Sequence, residues 1–345
     1  MVIDGPQRWQ RKASPDGAAQ VPAQVYVTLD ALQRLRHRAR GFSFLPRQPV
    51  HSILTGRHAS RLRGRGLNFE ELRRYVEGDD IRTIDWPATA RLGSPHVRVY
   101  TEERDRSVLL LVDQRLSMFF GSRKAMKSVV AAEVAALSAW RVTSLGDRVG
   151  AIVFSEGEVV EIRPQARSGA VPRILEAVVR QNRALRADGG TNGGPLADPR
   201  LFNDALRRAA RLIPHDGLLC LITDAFGADD ETIRLVTRIA THNDVLTVFI
   251  HDPLEAALPD IGRVVVADGA RQIEADLSSR DLRHRFAADF AERRARITGF
   301  SRDHAIPVLP IGTDRDVVDQ LRDLLGRRIA PSAVKRPARP GGVRG

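Results

Sequence analysis

Apolar runs of four to seven residues recur along most of the chain, and they alternate with longer stretches of helical periodicity. The clearest run is Val108-Leu-Leu-Leu-Val112, closed by Asp113. A run this short and unbroken, bounded by polar residues, predicts a strand buried on both faces, as in the interior of a parallel sheet. Residues 149–154, 218–222, 245–250 and 306–309 repeat the pattern. Residues 159–162 follow the second run within hairpin distance and predict an antiparallel edge strand. Residues 264–266 predict a further short strand. Helices are expected over about 123–142, 171–183, 201–212, 229–241, 282–297 and 317–325. The first is Ala-rich and free of Pro and Gly, with Met126, Val129, Val130, Val134 and Leu137 near one face. Strands alternating with helices imply an α/β fold with a doubly wound, mainly parallel sheet.

The first hundred residues are patterned differently. Residues 1–24 are polar and dotted with Pro and Gly and predict a disordered tail. Thr28 is placed to cap a short helix through Leu29, Leu32 and Leu35. From His51 to Arg106 the segment is dense in Arg and Asp. Phe69 to Tyr75 predicts a turn or two of helix, and Val97 to Tyr100 alternates like a strand. Trp86, ahead of Pro87, is expected to be packed with its N–H bonded. The organisation read from these shifts is a tail (1–24), an N-terminal helix with an irregular, β-containing Arg/Asp-rich flap (25–106), the α/β domain (107–328) and a disordered basic tail (329–345).

Composition narrows the function classes. The 345 residues carry a net charge of +12, and aromatics make up 5%. A basic balance favours acidic partners, nucleic acid among them. The arginines are not interleaved with aromatics, as base-stacking surfaces require. The single Cys220 lies inside an apolar run and reads as a buried thiol, which fits a reducing, cytoplasmic setting. No stretch approaches the roughly 18–20 apolar residues needed to cross a bilayer. There is no phosphate-binding lysine loop, no nucleophile elbow and no paired-histidine metal motif. His251 ends a strand, where hydrogen-bonded structure is the expectation. The reading is of a non-enzymatic protein.

Two acids, Asp113 and Asp224, each end a buried strand and open onto a loop. Ser117 lies four residues after Asp113, and Thr191 sits in the Gly-rich loop 188–194. In open α/β sheets function collects outside the carboxyl ends of the strands, and converging carboxylates and hydroxyls suit a hard cation such as Mg²⁺. In the flap, Asp79, Asp80 and Asp85 stand beside Arg73, Arg74 and Arg82. These six can satisfy one another in a salt-bridged knot, or they can form a surface on which a partner docks.

Asp113-x-Arg115-x-Ser117 resembles the Asp-x-Ser-x-Ser motif of von Willebrand factor A domains, whose metal-ion-dependent adhesion site also uses a distant Thr and a distant Asp. The resemblance places Asp113, Ser117, Asp224 and Thr191 as metal ligands. It fails at Arg115, where a hydroxyl should stand. A guanidinium cannot ligate a metal, but between two acids it can supply the ion pairs that a cation would. The expectation is a degenerate, metal-free site held by Arg115, with Mg²⁺ binding as the alternative. Residues 64–86, with Ala90-Arg91, Glu102-Glu103-Arg104, Asp113 to Met118, Gly146 to Gly150 and His251-Asp252-Pro253, closely resemble the bacterial family called domain of unknown function fifty-eight. That resemblance spans most of the chain and implies an accessory or adaptor protein. Its implied partners are a MoxR-type AAA+ ATPase and an unknown client protein that is matured or remodelled. The rival reading is a nucleic-acid-binding protein using the Arg57–Arg74 surface.

Overall fold

The computed structural model describes residues 24–40, 67–102, 106–166, 169–186, 199–268, 271–304 and 306–326. Its centre is a six-stranded sheet of β3 (Ser107–Asp113), β4 (Arg148–Phe154), β5 (Val159–Gln165), β6 (Leu218–Thr223), β7 (Asp244–His251) and β10 (Val308–Gly312). The spatial order is β10-β7-β6-β3-β4-β5. Every pairing is parallel except β4 with the edge strand β5, which run antiparallel. This is the sheet that the apolar runs predict.

Alternate side chains of β3 feed two separate cores. Val108, Leu110 and Val112 face one layer, built on α3 (Lys127–Ser144), α4 (Val171–Ala184) and α9 (Val317–Gly326). Leu109 and Leu111 face the other, built on α5 (Pro199–Leu212), α6 (Asp230–Ala240) and α8 (Arg280–His304). Burial on both faces explains why β3 is apolar throughout rather than alternating. Helix α3 is the inner helix of its layer. Its alanines let it approach the sheet closely, and Val129, Val130, Val134 and Leu137 are all buried.

The N-terminal segment crosses that layer. Thr28 caps α1 (Leu29–Arg34) as expected, accepting from the Ala31 N–H. The Trp140 indole donates to Leu32 O (3.1 Å), the Tyr26 hydroxyl donates to Leu185 O (2.8 Å), and Val27 N–H donates to Asn182 Oδ1 (2.9 Å).

Several expectations need correction. Residues 69–75 are not helical: 69–74 belong to β1 (Leu67–Arg74), paired antiparallel with β2 (His96–Glu102), and Tyr75 follows the strand. Cross-strand pairing outweighs the helical propensity of Glu, Leu and Arg. Trp86 is not packed. It opens α2 (Trp86–Leu92), which Asp85 caps, and it is 65% exposed. The strand at 264–266 joins no large sheet; β8 (Arg263–Asp268) forms a hairpin with β9 (Arg271–Asp276), a strand that the sequence pattern does not reveal. Helix α3 begins at Lys127, four residues later than expected, because 119–126 form a loop. A Cβ at Gly121 would lie 2.3 Å from Ala125 O, so that loop closes too tightly for any side chain. α7 (Pro253–Ala256) is a single turn after β7. The two expected terminal tails lie outside the described residues apart from Gln24.

Candidate functional site

The chain runs outward from β3 in both directions: through α3 to β4 on one side, and later to β6 on the other. The carboxyl ends of β3 and β6 therefore flank a topological switch point, the place where α/β sheets open a crevice. Val112 is level with Ile222, so Asp113 is level with Thr223 and Asp224 follows one residue on. Both are fully buried.

Asp113 is closed by its own loop. Its Oδ1 accepts from the backbone N–H and the Nε of Arg115, both at 3.0 Å. Its Oδ2 accepts from Arg115 Nη2 and from the Thr223 hydroxyl, both at 2.7 Å. A carboxylate has about four lone-pair sites, and all four are filled. Arg115 is 1% exposed, with its guanidinium carbon 5.5 Å and 5.2 Å from the ring centres of Phe154 and Phe202. Burial alone would lower the arginine pKa, but Asp113 outweighs it and the charge is held more firmly than in water. A bidentate, charge-assisted pair in a dry setting is among the stronger polar contacts a protein makes.

Asp224 has a different partner. Lys127 Nζ lies 2.7 Å from Asp224 Oδ2 and 2.9 Å from Glu255 Oε1. Glu255 in turn takes Arg293 Nη2 at 2.8 Å. The other oxygen of Asp224 accepts from Phe226 N–H (2.9 Å) and, at the long end, from the Ser117 hydroxyl (3.4 Å). Burial raises the Asp224 pKa; Lys127, with Arg115 and Arg293, more than offsets this and holds the carboxyl below its usual range. The sequence reading missed Lys127, Glu255 and Arg293. Lys127 carried a signal, since it is the lone cation in the otherwise apolar and small-residue run 125–139 apart from Glu133. Glu255 and Arg293 carried none, because α7 and α8 meet the site only through the fold.

The loop after β6 is strained. Ala225 has a φ of 54°, in the left-handed region that non-glycine residues avoid. Its N–H donates to Thr223 Oγ1 (2.9 Å), which pins the conformation. Beyond it, Asp252 ties three loops together: it accepts from Ser122 N–H (2.8 Å) and the Ser122 hydroxyl (2.6 Å), from Leu254 N–H (2.9 Å), and from the Thr313 hydroxyl.

Tested against a divalent cation, the donor set does not fit. Asp113 has no open lone pair, and Asp224 already carries an ammonium. Groups of three or more His, Cys, Asp or Glu with metal-holding geometry are absent among the described residues. Thr191 lies outside the described residues. His251 is half-buried and stacks on Phe249 with ring centres 5.9 Å apart. Cys220 is fully buried, and burial pushes its thiol up to about 12, so it is no nucleophile at neutral pH.

The six flap residues form no single knot. Arg73 forks onto Asp79, both contacts at 2.8 Å. Asp80 accepts from the Arg82 N–H and Asp85 from the Ala88 N–H, so both act as helix caps. Arg74 and Arg82 have no side-chain partner among the described residues. The same segment carries Val76, Ile81, Trp86 and Leu92, each 59–65% exposed.

No helix among the described residues is long and apolar enough to cross a membrane. Residues 71–296 match the family described as Protein of unknown function DUF58. The uncharacterized protein Rv1480 of Mycobacterium tuberculosis is 30% identical over 297 residues, 86% of this chain and 90% of that one. The uncharacterized protein MAV169 of Mycobacterium avium is 34% identical over 127 residues, 36% of this chain and 73% of that one. The crystal structure of the conserved hypothetical protein BatB from Bacteroides thetaiotaomicron superposes with a TM-score of 0.34 and 16% identity, over 62% of this chain and 93% of that one. With the family match spanning well over half its length, the chain belongs to the DUF58 family.

Proposed function

We propose that this protein is a non-enzymatic, cytoplasmic adaptor with a von Willebrand factor A-like domain. It works beside a MoxR-type AAA+ ATPase and brings a client protein to that machine. The observation that carries the reading is the flap. Val76, Ile81, Trp86 and Leu92 are large apolar side chains left in water within one short segment, which also carries Arg74 and Arg82, two arginines with no side-chain partner among the described residues. Four large apolar side chains exposed within so short a stretch favour an interaction surface, and Trp and Arg are among the residues most enriched in binding hot spots. The fit of this surface is to a partner face with an apolar centre and acidic margins. The closed state of the sheet-edge site supports the same reading: its acids are neutralised from within and offer no open base, nucleophile or ligand position.

The test is direct binding of the full chain to a purified MoxR-type ATPase from the same organism, followed by the pair of substitutions Trp86→Ser and Ile81→Ser. Both side chains are exposed, so the melting temperature should hold while affinity falls by about tenfold or more. Absence of binding by the wild type removes the ATPase partnership. Binding that survives both substitutions removes this surface. Association with duplex DNA that weakens steeply with salt would favour the nucleic-acid reading instead.

A further inference from the structure

At the opposite, amino edge of the sheet, a cavity of about 640 Å³ lies between α5 and α6, below the starts of β6 and β7. Its size falls within the range of small-molecule sites. The floor is apolar, formed by Ile213, Leu235 and Ile239. The rim is cationic, with Arg207, Arg211, Arg238, His215 and His242. Arg207 is occupied, with Nη1 2.7 Å from Asp204 and Nη2 3.3 Å from Glu231. Arg211 and Arg238 have no carboxylate partner among the described residues. Each stands in the last turn of its helix, where a cation offsets the helix dipole. That accounts for one arginine on each helix, but not for two helices aiming theirs at one cavity over an apolar floor. The two imidazoles meet edge to face at 5.2 Å. The turn that carries His215 is fastened to His242 by the Asp216 N–H, which donates to His242 O at 3.0 Å. That bond fixes the backbone beneath the two imidazoles, while Arg211 and Arg238 are exposed at the rim. Asp216 and Asp244 each adjoin a lining residue in sequence; both are exposed to solvent, and Asp244 is paired with Arg106.

We infer that this cavity is a binding site for a small organic oxyanion, of phosphate-monoester chemistry, joined to an apolar body. Two guanidinium forks with no carboxylate partner among the described residues suit the oxygens of a doubly charged phosphate. The floor of Ile213, Leu235 and Ile239 suits the apolar part. The site is independent of the sheet-edge acids and of the flap.

Calorimetric titration of the full chain with phenyl phosphate and with inorganic phosphate, at matched ionic strength, tests this. Phenyl phosphate should bind, and more tightly than inorganic phosphate. Arg211→Ala with Arg238→Ala should weaken it by about tenfold for each arginine removed, while the melting temperature falls only slightly, by the small helix-dipole contribution of two exposed cations. Ala210→Trp, which fills the cavity without altering its charge, should also abolish binding. The inference is overturned by no heat at millimolar phenyl phosphate. It is equally overturned by undiminished binding in the double variant or in Ala210→Trp, or by inorganic phosphate binding as tightly as the phenyl ester.

Discussion

Lys127 Nζ stands 2.7 Å from Asp224 Oδ2, and Lys127 is the first residue of α3. A cation at a helix N-terminus opposes the helix dipole, and the first turn of α3 holds no acid to offset it. The lysine is also 2% exposed. It is tolerated there because Asp224 and Glu255 approach from β6 and α7. Burial would lower its pKa, and the two carboxylates raise it instead. The site is thus a ladder of alternating charge, Arg115 with Asp113, and Lys127 with Asp224, Glu255 and Arg293, that joins two strands and three helices.

Removing one rung of this ladder should be costly. Lys127→Met keeps the length and apolar volume of the side chain and leaves Asp224 buried without its ion pair. Losing one partner of a buried pair costs about 3–5 kcal/mol. Urea denaturation should show a loss of that order. A midpoint within experimental scatter of the wild type would show that the ladder carries no net stability.

The ladder also sets what a metal can do. The wild-type chain is expected to show no Mg²⁺ binding at millimolar metal by calorimetry. Arg115→Ser restores the hydroxyl of an Asp-x-Ser-x-Ser motif, yet the ammonium of Lys127 stays on Asp224. That variant should be destabilised and should not respond to Mg²⁺. Only Arg115→Ser combined with Lys127→Gln should gain a melting temperature that rises with Mg²⁺, since a ligand that binds only the folded state stabilises it. A Mg²⁺ response in the single variant would mean that Lys127 is displaced easily and is not the barrier.

The sheet was legible because β3, β4, β6 and β7 are buried on both faces, which leaves an unbroken apolar run for each. The switch-point acids were legible for the same reason, since Asp113 and the Thr223-Asp224 pair end such runs. Lys127 was not, because helical periodicity places it on a face without saying what that face meets. Glu255 and Arg293 reach the site from 31 and 69 residues beyond Asp224, through loops whose path no local pattern encodes. β1 was misread because Glu, Leu and Arg favour a helix locally, and the strand exists through its pairing with β2.

In the flap, Arg73 and Arg74 are neighbours with different work. Arg73 holds Asp79, whose Oδ2 also accepts the Val76 N–H at 2.9 Å. The Asp79 pKa is lowered by the Arg73 hydrogen bond and then by that of Val76. Arg73→Glu should loosen the turn, read as faster amide hydrogen exchange at Val76 and Asp79. Arg74→Glu should leave exchange unchanged and act only on partner affinity. Equal exchange in both variants would assign the turn's order to the backbone alone.

Glu133 gives the chain a pH-dependent stability. It lies on α3 among Asp316, Lys124 and Arg38, and Arg38 is itself forked onto Asp316 (3.2 and 2.9 Å). Burial, and then the charge of Asp316, raise the Glu133 pKa from 4.5 to about 7, while Lys124 and Arg38 pull it down. In the unfolded chain the group titrates at its ordinary value. Between these two pH values the folded protein keeps a proton that the unfolded chain has released, so stability falls as pH rises. The penalty is absent below the unfolded pKa and complete above the folded one. Glu133→Gln cannot ionise and escapes it. The variant should match the wild type within about 1 kcal/mol near pH 4.5 and exceed it by up to about 3 kcal/mol at pH 8. Urea midpoints across that range measure the difference. A gain that does not grow with pH would mean that Glu133 is ionised in the folded protein throughout, with Lys124 and Arg38 outweighing burial and Asp316.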